Sequence, residues 1–356
     1  MDIDEFDDFK IILWLILFLL FGIVIITCKP KNDDYVMTVN GRETPGKMGT
    51  TLEHEHILVD FIGADSTGYF RWNRDSVFTA AEPYVNEAKA RGVKTIIDCT
   101  PSFLGRDPMM LKDLSRKTGV SFITNTGFYG ANNNKYLPRS FYDLTPEGLA
   151  AIWTDEFKNG IENTGIRPGF IKIGVNPSDT LSPEHLKIIR AAGMAHLATG
   201  LVIASHTGPD SPAFAQIEVL KELGVSPSAF IWVHAQNGTA EGNIEAAREG
   251  AWISLDNIRN RTDLKPDDRG SLEWYAGRIS ALKEQDLLNR VLLSHDSGWY
   301  DPSQPGGGQF NGYTDIFDYF IPLLKLKGFT NDEIDQILIK NPAEAFTIRI
   351  RKYQKN

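Results

Sequence analysis

From residue 36 onward the chain alternates short, nearly continuous aliphatic runs with longer amphipathic stretches, and this alternation restricts the fold more than any other feature. Runs of roughly four to eight apolar, largely β-branched residues fit strands buried on both faces. Such strands belong to parallel sheets covered by helices. Eight runs qualify: TTLEHEHI at 50–57, VKTIIDCT at 93–100, SFITNTGF at 121–128, GFIKIGV at 169–175, GLVIASHT at 200–207, FIWVHAQN at 230–237, WISLDNI at 252–258 and VLLSHDSG at 291–298. Eight strands with helices between them predict an α/β fold of the (β/α)8 TIM-barrel type over an open doubly wound sheet. The 356 residues and 42% hydrophobic content are ample for a core of that size.

Local signals place the helices. TAAEPYVNEAKARG at 79–92 turns Ala80, Val85 and Ala88 to one face and ends on Gly92. Ser182 and Pro183 open a helix over 182–200, and Thr330 with Glu333 forms a capping box for 330–342. The turn-rich NGRETPG, within 36–49, predicts a hairpin ahead of the first barrel strand. The GGG at 306–308 does not lead from a strand into a helix, so it reads as loop punctuation and not as a phosphate loop.

The N-terminus is a separate object. Residues 11–27 are an uninterrupted apolar run followed by Cys28. Residues 1–28 therefore read as an exported lipoprotein's signal or, alternatively, as a single transmembrane anchor. Thr27 and the acidic flank MDIDEFDDFK depart from a lipoprotein signal. Residues 29–35 form a polar linker, and 36–356 the barrel. A net charge of −9 excludes a nucleic-acid backbone as partner, and the two cysteines, Cys28 and Cys99, cannot make a disulfide framework.

The polar residues sit where the strands end. Of seven histidines, His54, His56, His206, His234 and His295 fall late in aliphatic runs. An imidazole buried there without a partner would cost a few kcal/mol, and the C-terminal strand ends form the active-site face of a barrel. His54 and His56, at i and i+2, project to the same side and can hold one ion, whereas Glu55 projects away. Lys172, between Ile171 and Ile173, is excluded from such a strand unless paired or modified. An amine there can capture CO2 to become a carbamate, an anionic ligand able to bridge two cations. His295 and Asp296 face opposite ways. Asp296 is the one expected at the metal, where it can ligate and accept a proton. His295 is then a supporting residue, and His185 and His196 are surface or packing residues.

Together these residues resemble the phosphotriesterase-like family of the amidohydrolase superfamily. The likeness runs over about residues 36–348 and is carried by VNGRETPGKMGTTLEHEHIL at 39–58, RPGFIKIGV at 167–175, ASHTG at 204–208, VHAQN at 233–237, SLDN at 254–257, LLSHDSG at 292–298 and NPAEAF at 341–346. The resemblance implies two divalent cations, usually zinc. His54, His56 and Asp296 would hold the more buried ion, His206 and His234 the more exposed one, and carboxylated Lys172 would bridge both. It also implies a metal-bridging hydroxide that cleaves an ester bond, with Asp296 and Lys172 as catalytic residues, and a homodimer. Asp256 matches a family position near the ligands and is given no role.

Substrate choice lies in the βα loops, where Tyr129, Asn257, Arg259, Trp299 and Tyr300 are the candidate contacts. Triesterases of the family carry further histidines after strand 7. Here the segment reads NIRNRTDLKPDDR, which favours a polar or anionic small molecule. The expectation is a metal hydrolase of carboxylic esters, a lactone in particular, with an organophosphate triester as the alternative. A non-catalytic zinc-binding surface protein or a membrane-tethered adhesion module would not need the whole ligand set.

Overall fold

The computed structural model describes residues 34–354. The apolar run at 11–27 and Cys28 lie outside the described residues. Among the described residues, no helix is long and apolar enough to cross a membrane.

A hairpin comes first. Strands β1 (Val36–Thr38) and β2 (Gly41–Glu43) pair antiparallel, with Val36 opposite Glu43. The turn is tighter than NGRETPG suggests, because Gly41 adopts φ +113 and lets the chain reverse at Val39-Asn40. The segment Gly41–Glu43, expected in the turn, is thus the second strand.

The barrel strands follow as β3 (Thr51–Glu55), β4 (Thr95–Asp98), β5 (Ser121–Ile123), β6 (Asn125–Thr126), β7 (Phe170–Gly174), β8 (Ile203–His206), β9 (Phe230–Val233), β10 (Trp252–Leu255) and β11 (Val291–Leu293). Every neighbouring pair is parallel, in the orders β3-β4-β5 and β6 through β11. The strands β5 and β6 are one run interrupted at Thr124, which joins the two sheets. At the other side, Asp296 N–H donates to His54 O at 3.1 Å and His56 N–H to Ser297 O at 2.9 Å, stitching the end of the last strand to the first. The parallel ring that results is consistent with a (β/α)8 barrel.

Helices separate the strands: α1 (Arg74–Ala90), α2 (Pro108–Thr118), α3 (Arg139–Asp143), α4 (Pro146–Asn159), α5 (Pro183–Thr199), α6 (Asp210–Glu222), α7 (Ala240–Glu249) and α8 (Leu272–Lys283). A broken helical stretch over 316–346 follows β11. Helix α1 begins earlier than position 79, because the Asn73 side chain caps it by accepting from Ser76 N–H and Pro83 is accommodated inside it. Ser182 caps α5, Gly200 ends it at φ +81, and the Thr330–Glu333 capping box is present.

Two apolar layers result from the strand alternation. Ile97, Cys99, Ile123, Phe170, Val202, Ile231, Val233, Trp252 and Leu292 fill the ring interior with Val36 and Phe346. A larger layer, including Leu52, Ile171, Ile173, Ile203 and Trp232, packs strands against helices. His185 and His196 belong to the interior and not to the surface. His185 Nε2 meets Gly130 O at 3.0 Å, while His196 Nδ1 meets Leu201 O and its Nε2 accepts from Arg351 N–H.

Candidate metal centre

The ring interior ends in a cluster of imidazoles and carboxylates. His54 and His56 are buried on β3 and just after it, and both turn their Nε2 atoms to Asp296 Oδ1, at 3.6 and 3.2 Å. One donor atom from each of these three residues lies within 4.8 Å of the others. His206 closes β8, and its ring stands edge-on to His234, with centroids 4.4 Å apart. His234 ends β9 because it turns left-handed, at φ +60, and this swings its ring toward His54 at 5.2 Å. Glu55 faces away from the cluster, as its place between the two histidines requires. Its carboxylate accepts from His295 Nδ1, Ser294 Oγ and the backbone N–H groups of His295 and Ser297. His295 is thereby a supporting residue.

Asp256, to which the sequence alone assigns no role, organises the cluster. Its Oδ2 meets His54 Nδ1 at 2.9 Å, and its Oδ1 meets His234 Nδ1 at 2.7 Å. It also accepts from His234 N–H, Gln236 Nε2 and Ser254 Oγ. His54, His234 and Asp256 also lie close enough to form a ligand group of their own. With both carboxylate oxygens occupied by the ring Nδ1 sides, however, Asp256 serves better as the holder of two imidazoles whose Nε2 atoms face the cavity. Thr100 Oγ1 does the same for His56 Nδ1, at 2.8 Å.

Electrostatics favour neutral His54 and His206 and ionised Asp256 and Asp296, whereas His234 is held toward its charged form by Asp256. Burial, helped by the Lys172 charge, pulls His54 down to about 4. Burial and the neighbouring His234 hold His206 well below the usual histidine range. At His234, burial is outweighed by the Asp256 carboxylate, which raises it. Burial opposes ionisation of Asp256, but His234 and His54 outweigh it and hold the acid well below the usual carboxylate range. Asp296 is lowered in the same way by His54 and His56. Deprotonated imidazole and ionised carboxylate are the forms that bind a cation.

Lys172 lies beside the cluster. It lines the cavity, only 2% exposed, and its Nζ has no hydrogen-bond partner. A buried orphan nitrogen beside four imidazoles and a carboxylate is the donor set that a cation pair, with a modified lysine between them, would satisfy.

A small, partly open cavity lies above the cluster. Val59, Phe61, Pro101, Leu104, Tyr129 and Trp299 form its walls, and Cys99 lies at the ring interior. Two of the five expected substrate contacts, Tyr129 and Trp299, are therefore brought to it. Asn257, Arg259 and Tyr300 do not line it. Tyr300 instead sits on the barrel seam, exchanging backbone hydrogen bonds with Ile57 and Val59. Arg259 turns back to the carbonyls of His295 and Asp296, and Arg269 to Gln236 O and Asn237 Oδ1. These two loop cations are spent on the protein itself, which removes them as support for an anionic substrate.

A parallel α/β barrel with such a cluster at its strand ends defines a metal-dependent hydrolase class. The sequence matches the phosphotriesterase family over residues 34–346, and the chain belongs to that family. A phosphotriesterase homology protein of Escherichia coli is 29% identical, over 84% of this chain and 98% of its own length. An aryldialkylphosphatase of Saccharolobus solfataricus is also 29% identical, over 84% of this chain and 95% of its own. Human N-acetyltaurine hydrolase is 26% identical over 88% and 98%. The crystal structure of the Escherichia coli homology protein, complexed with phosphate in its active site, superposes with a TM-score of 0.71, at 27% identity over 84% of this chain and 99% of that one.

Proposed function

We propose that this protein is a binuclear hydrolase of carboxylic esters, a lactone in particular, using two divalent cations such as Zn2+. The observation that supports it most is the buried, partnerless Nζ of Lys172 within reach of the histidine–aspartate cluster. In this reading His54, His56 and Asp296 would hold one ion, His206 and His234 the other, and Lys172, as its carbamate, would be a ligand to both. When bound, the cations supply Lewis acidity toward the ester carbonyl and lower the pKa of water toward neutrality.

The chain's own residues do the rest. Asp256 and Thr100 fix the imidazole tautomers so that Nε2 lone pairs point into the cavity. Asp296, held ionised, takes the proton of the attacking water at a carboxylate oxygen. Phe61, Leu104, Tyr129 and Trp299 bind the apolar part of the substrate and exclude bulk water. Apolar walls suit a neutral ester better than an anion, which replaces the polar or anionic substrate expected from the loop charges.

The same walls favour a second reading, a neutral phosphotriester, and the likeness to the aryldialkylphosphatase supports it. Protein loaded with zinc and bicarbonate should carry about two metals per chain and turn over lactones faster than aryl dialkyl phosphotriesters or N-acyl amines. Triester turnover far above lactone turnover would reverse the two readings. Fewer than two metals per folded chain would overturn both. For residues 1–28 we propose a lipoprotein leader ending at Cys28, with a transmembrane anchor as the alternative. Labelled fatty acid should enter the first at Cys28 and be lost in Cys28→Ser, and should not enter the second. A homodimer, also proposed, is read from light scattering.

A further inference from the structure

Asp296 has an unusual backbone. It is not glycine, yet its φ is +52, in the left-handed region that side chains rarely adopt. A conformation of this kind persists only where its surroundings over-determine it. The N–H of Asp296 is held by His54 O at 3.1 Å. Its carbonyl accepts from Arg259 Nη2 at 2.7 Å, and the preceding His295 carbonyl accepts from Arg259 Nε and Nη2 at 3.4 Å each. On the opposite edge, Glu55 takes the N–H groups of His295 and Ser297 at 3.0 and 2.8 Å. Two charged side chains from neighbouring parts of the ring thus grip both polar edges of the 295–297 backbone.

We propose that Arg259 is a positioning residue: with Glu55 it clamps the end of the last barrel strand so that Asp296 keeps its left-handed turn and its carboxylate stays aimed between His54 and His56. This rests on the reading of Asp296 as a metal ligand and proton acceptor. A guanidinium suits the task because its planar donors form a rigid fork, which holds two successive carbonyls in a fixed geometry, whereas an ammonium is a rotatable point charge on a flexible stem. The segment that carries Arg259 is itself anchored, through Asn260 N–H to Asp315 Oδ2 at 2.8 Å and through Arg269 to Gln236 O at 3.0 Å. The clamp therefore joins the loop after β10 to the strand end that carries the proton acceptor.

The test compares Arg259→Met and Arg259→Lys with wild type as zinc-loaded full chains. Methionine keeps the aliphatic stem and removes every donor, whereas lysine keeps a cationic donor. Three quantities are read: metal retained per chain against time in dipicolinate, kcat and KM on the best-turned-over ester, and the unfolding midpoint of the zinc-free protein. For Arg259→Met the expected result is loss of one metal roughly 10- to 100-fold faster, and a kcat lowered by a similar factor with KM within about threefold, the scale seen when a group supporting a metal ligand is removed. Arg259→Lys should recover a substantial part of both. A stem that merely packs would be served equally by Met and Lys, so equal losses in the two variants overturn the clamp, as does a Met variant with wild-type retention and kcat. Wild-type protein that never binds two metals overturns the proposed function, and the clamp's purpose with it.

Discussion

Replacing Asp256 by asparagine is the sharpest available perturbation of the site, because the change is isosteric and its effect on each partner can be worked out. The carboxylate accepts five hydrogen bonds, two on Oδ1 from His234 Nδ1 and Gln236 Nε2, and three on Oδ2 from His54 Nδ1, His234 N–H and Ser254 Oγ. An amide has one acceptor oxygen, which keeps most bonds if it takes the Oδ2 place. The NH2 group then faces His234 Nδ1 and Gln236 Nε2, where two donors were already pointing inward. His234 can answer by shifting its proton to Nε2, and that tautomer has no lone pair for a metal. The ion assigned to His206 and His234 should therefore weaken about 10- to 100-fold, roughly 1.4–2.7 kcal/mol, while the ion on His54, His56 and Asp296 is affected less. Metal per chain measured across a series of buffered zinc concentrations would show one site shifting and one nearly fixed. Two sites within about twofold of wild type would refute the idea that Asp256 sets the tautomers, and equal weakening of both would refute the asymmetry.

Lys172→Met should stabilise the metal-free chain by about 1–3 kcal/mol in urea, because a buried nitrogen without a partner is removed, while the two-metal load is lost. A Met variant that is less stable and still binds two metals would contradict both parts. Gly298→Ala should destabilise by roughly 2–5 kcal/mol or prevent folding, since its φ is +99 and a Cβ would lie 1.7 Å from His56 O, so wild-type unfolding midpoints would refute the geometry. In metal-free protein His54 has its pKa lowered from 6.5 to about 4, so the folded state binds fewer protons than the unfolded one between those values. Its contribution is then complete above pH 6.5 and lost as the pH falls toward 4, on the order of 3 kcal/mol. The urea stability of wild type should fall over that window more steeply than that of His54→Gln, and parallel curves would refute it. Trp299→Ala should raise KM for apolar esters by about tenfold with a smaller change in kcat, if the ring contributes roughly 1–2 kcal/mol of binding.

The barrel strands were legible because a strand buried on both faces leaves a continuous aliphatic run, and the helices because their caps are local. What escaped was decided by backbone turns. His234 stops β9 early through a left-handed φ, and Gly41 reverses the hairpin within two residues. The six candidate ligand positions stood out for one physical reason: imidazoles, a lysine and a carboxylate within or at the ends of buried apolar strands are otherwise intolerable there. Asp256 and Glu55 obey the same logic, but Asp256 reaches His54 and Glu55 reaches His295 across 202 and 240 residues, beyond any spacing rule. Arg259 and Arg269 show the limit most plainly. A loop cation announces its charge in the sequence but not its direction, and both of these turn inward to carbonyls instead of toward a substrate.

The seam between β3 and the end of β11 has a temporal meaning. His54 and His56, made early, share backbone hydrogen bonds with Asp296 and Ser297, which leave the ribosome much later. Until that late stretch arrives, β3 presents an unpaired edge and two histidines without their carboxylate. A nascent chain halted before residue 296 thus carries an open ring that invites pairing with other chains. Assembly of the cluster and sealing of that edge are one event, so a chain that has brought its histidines and Asp296 together is also one that has finished protecting itself from aggregation.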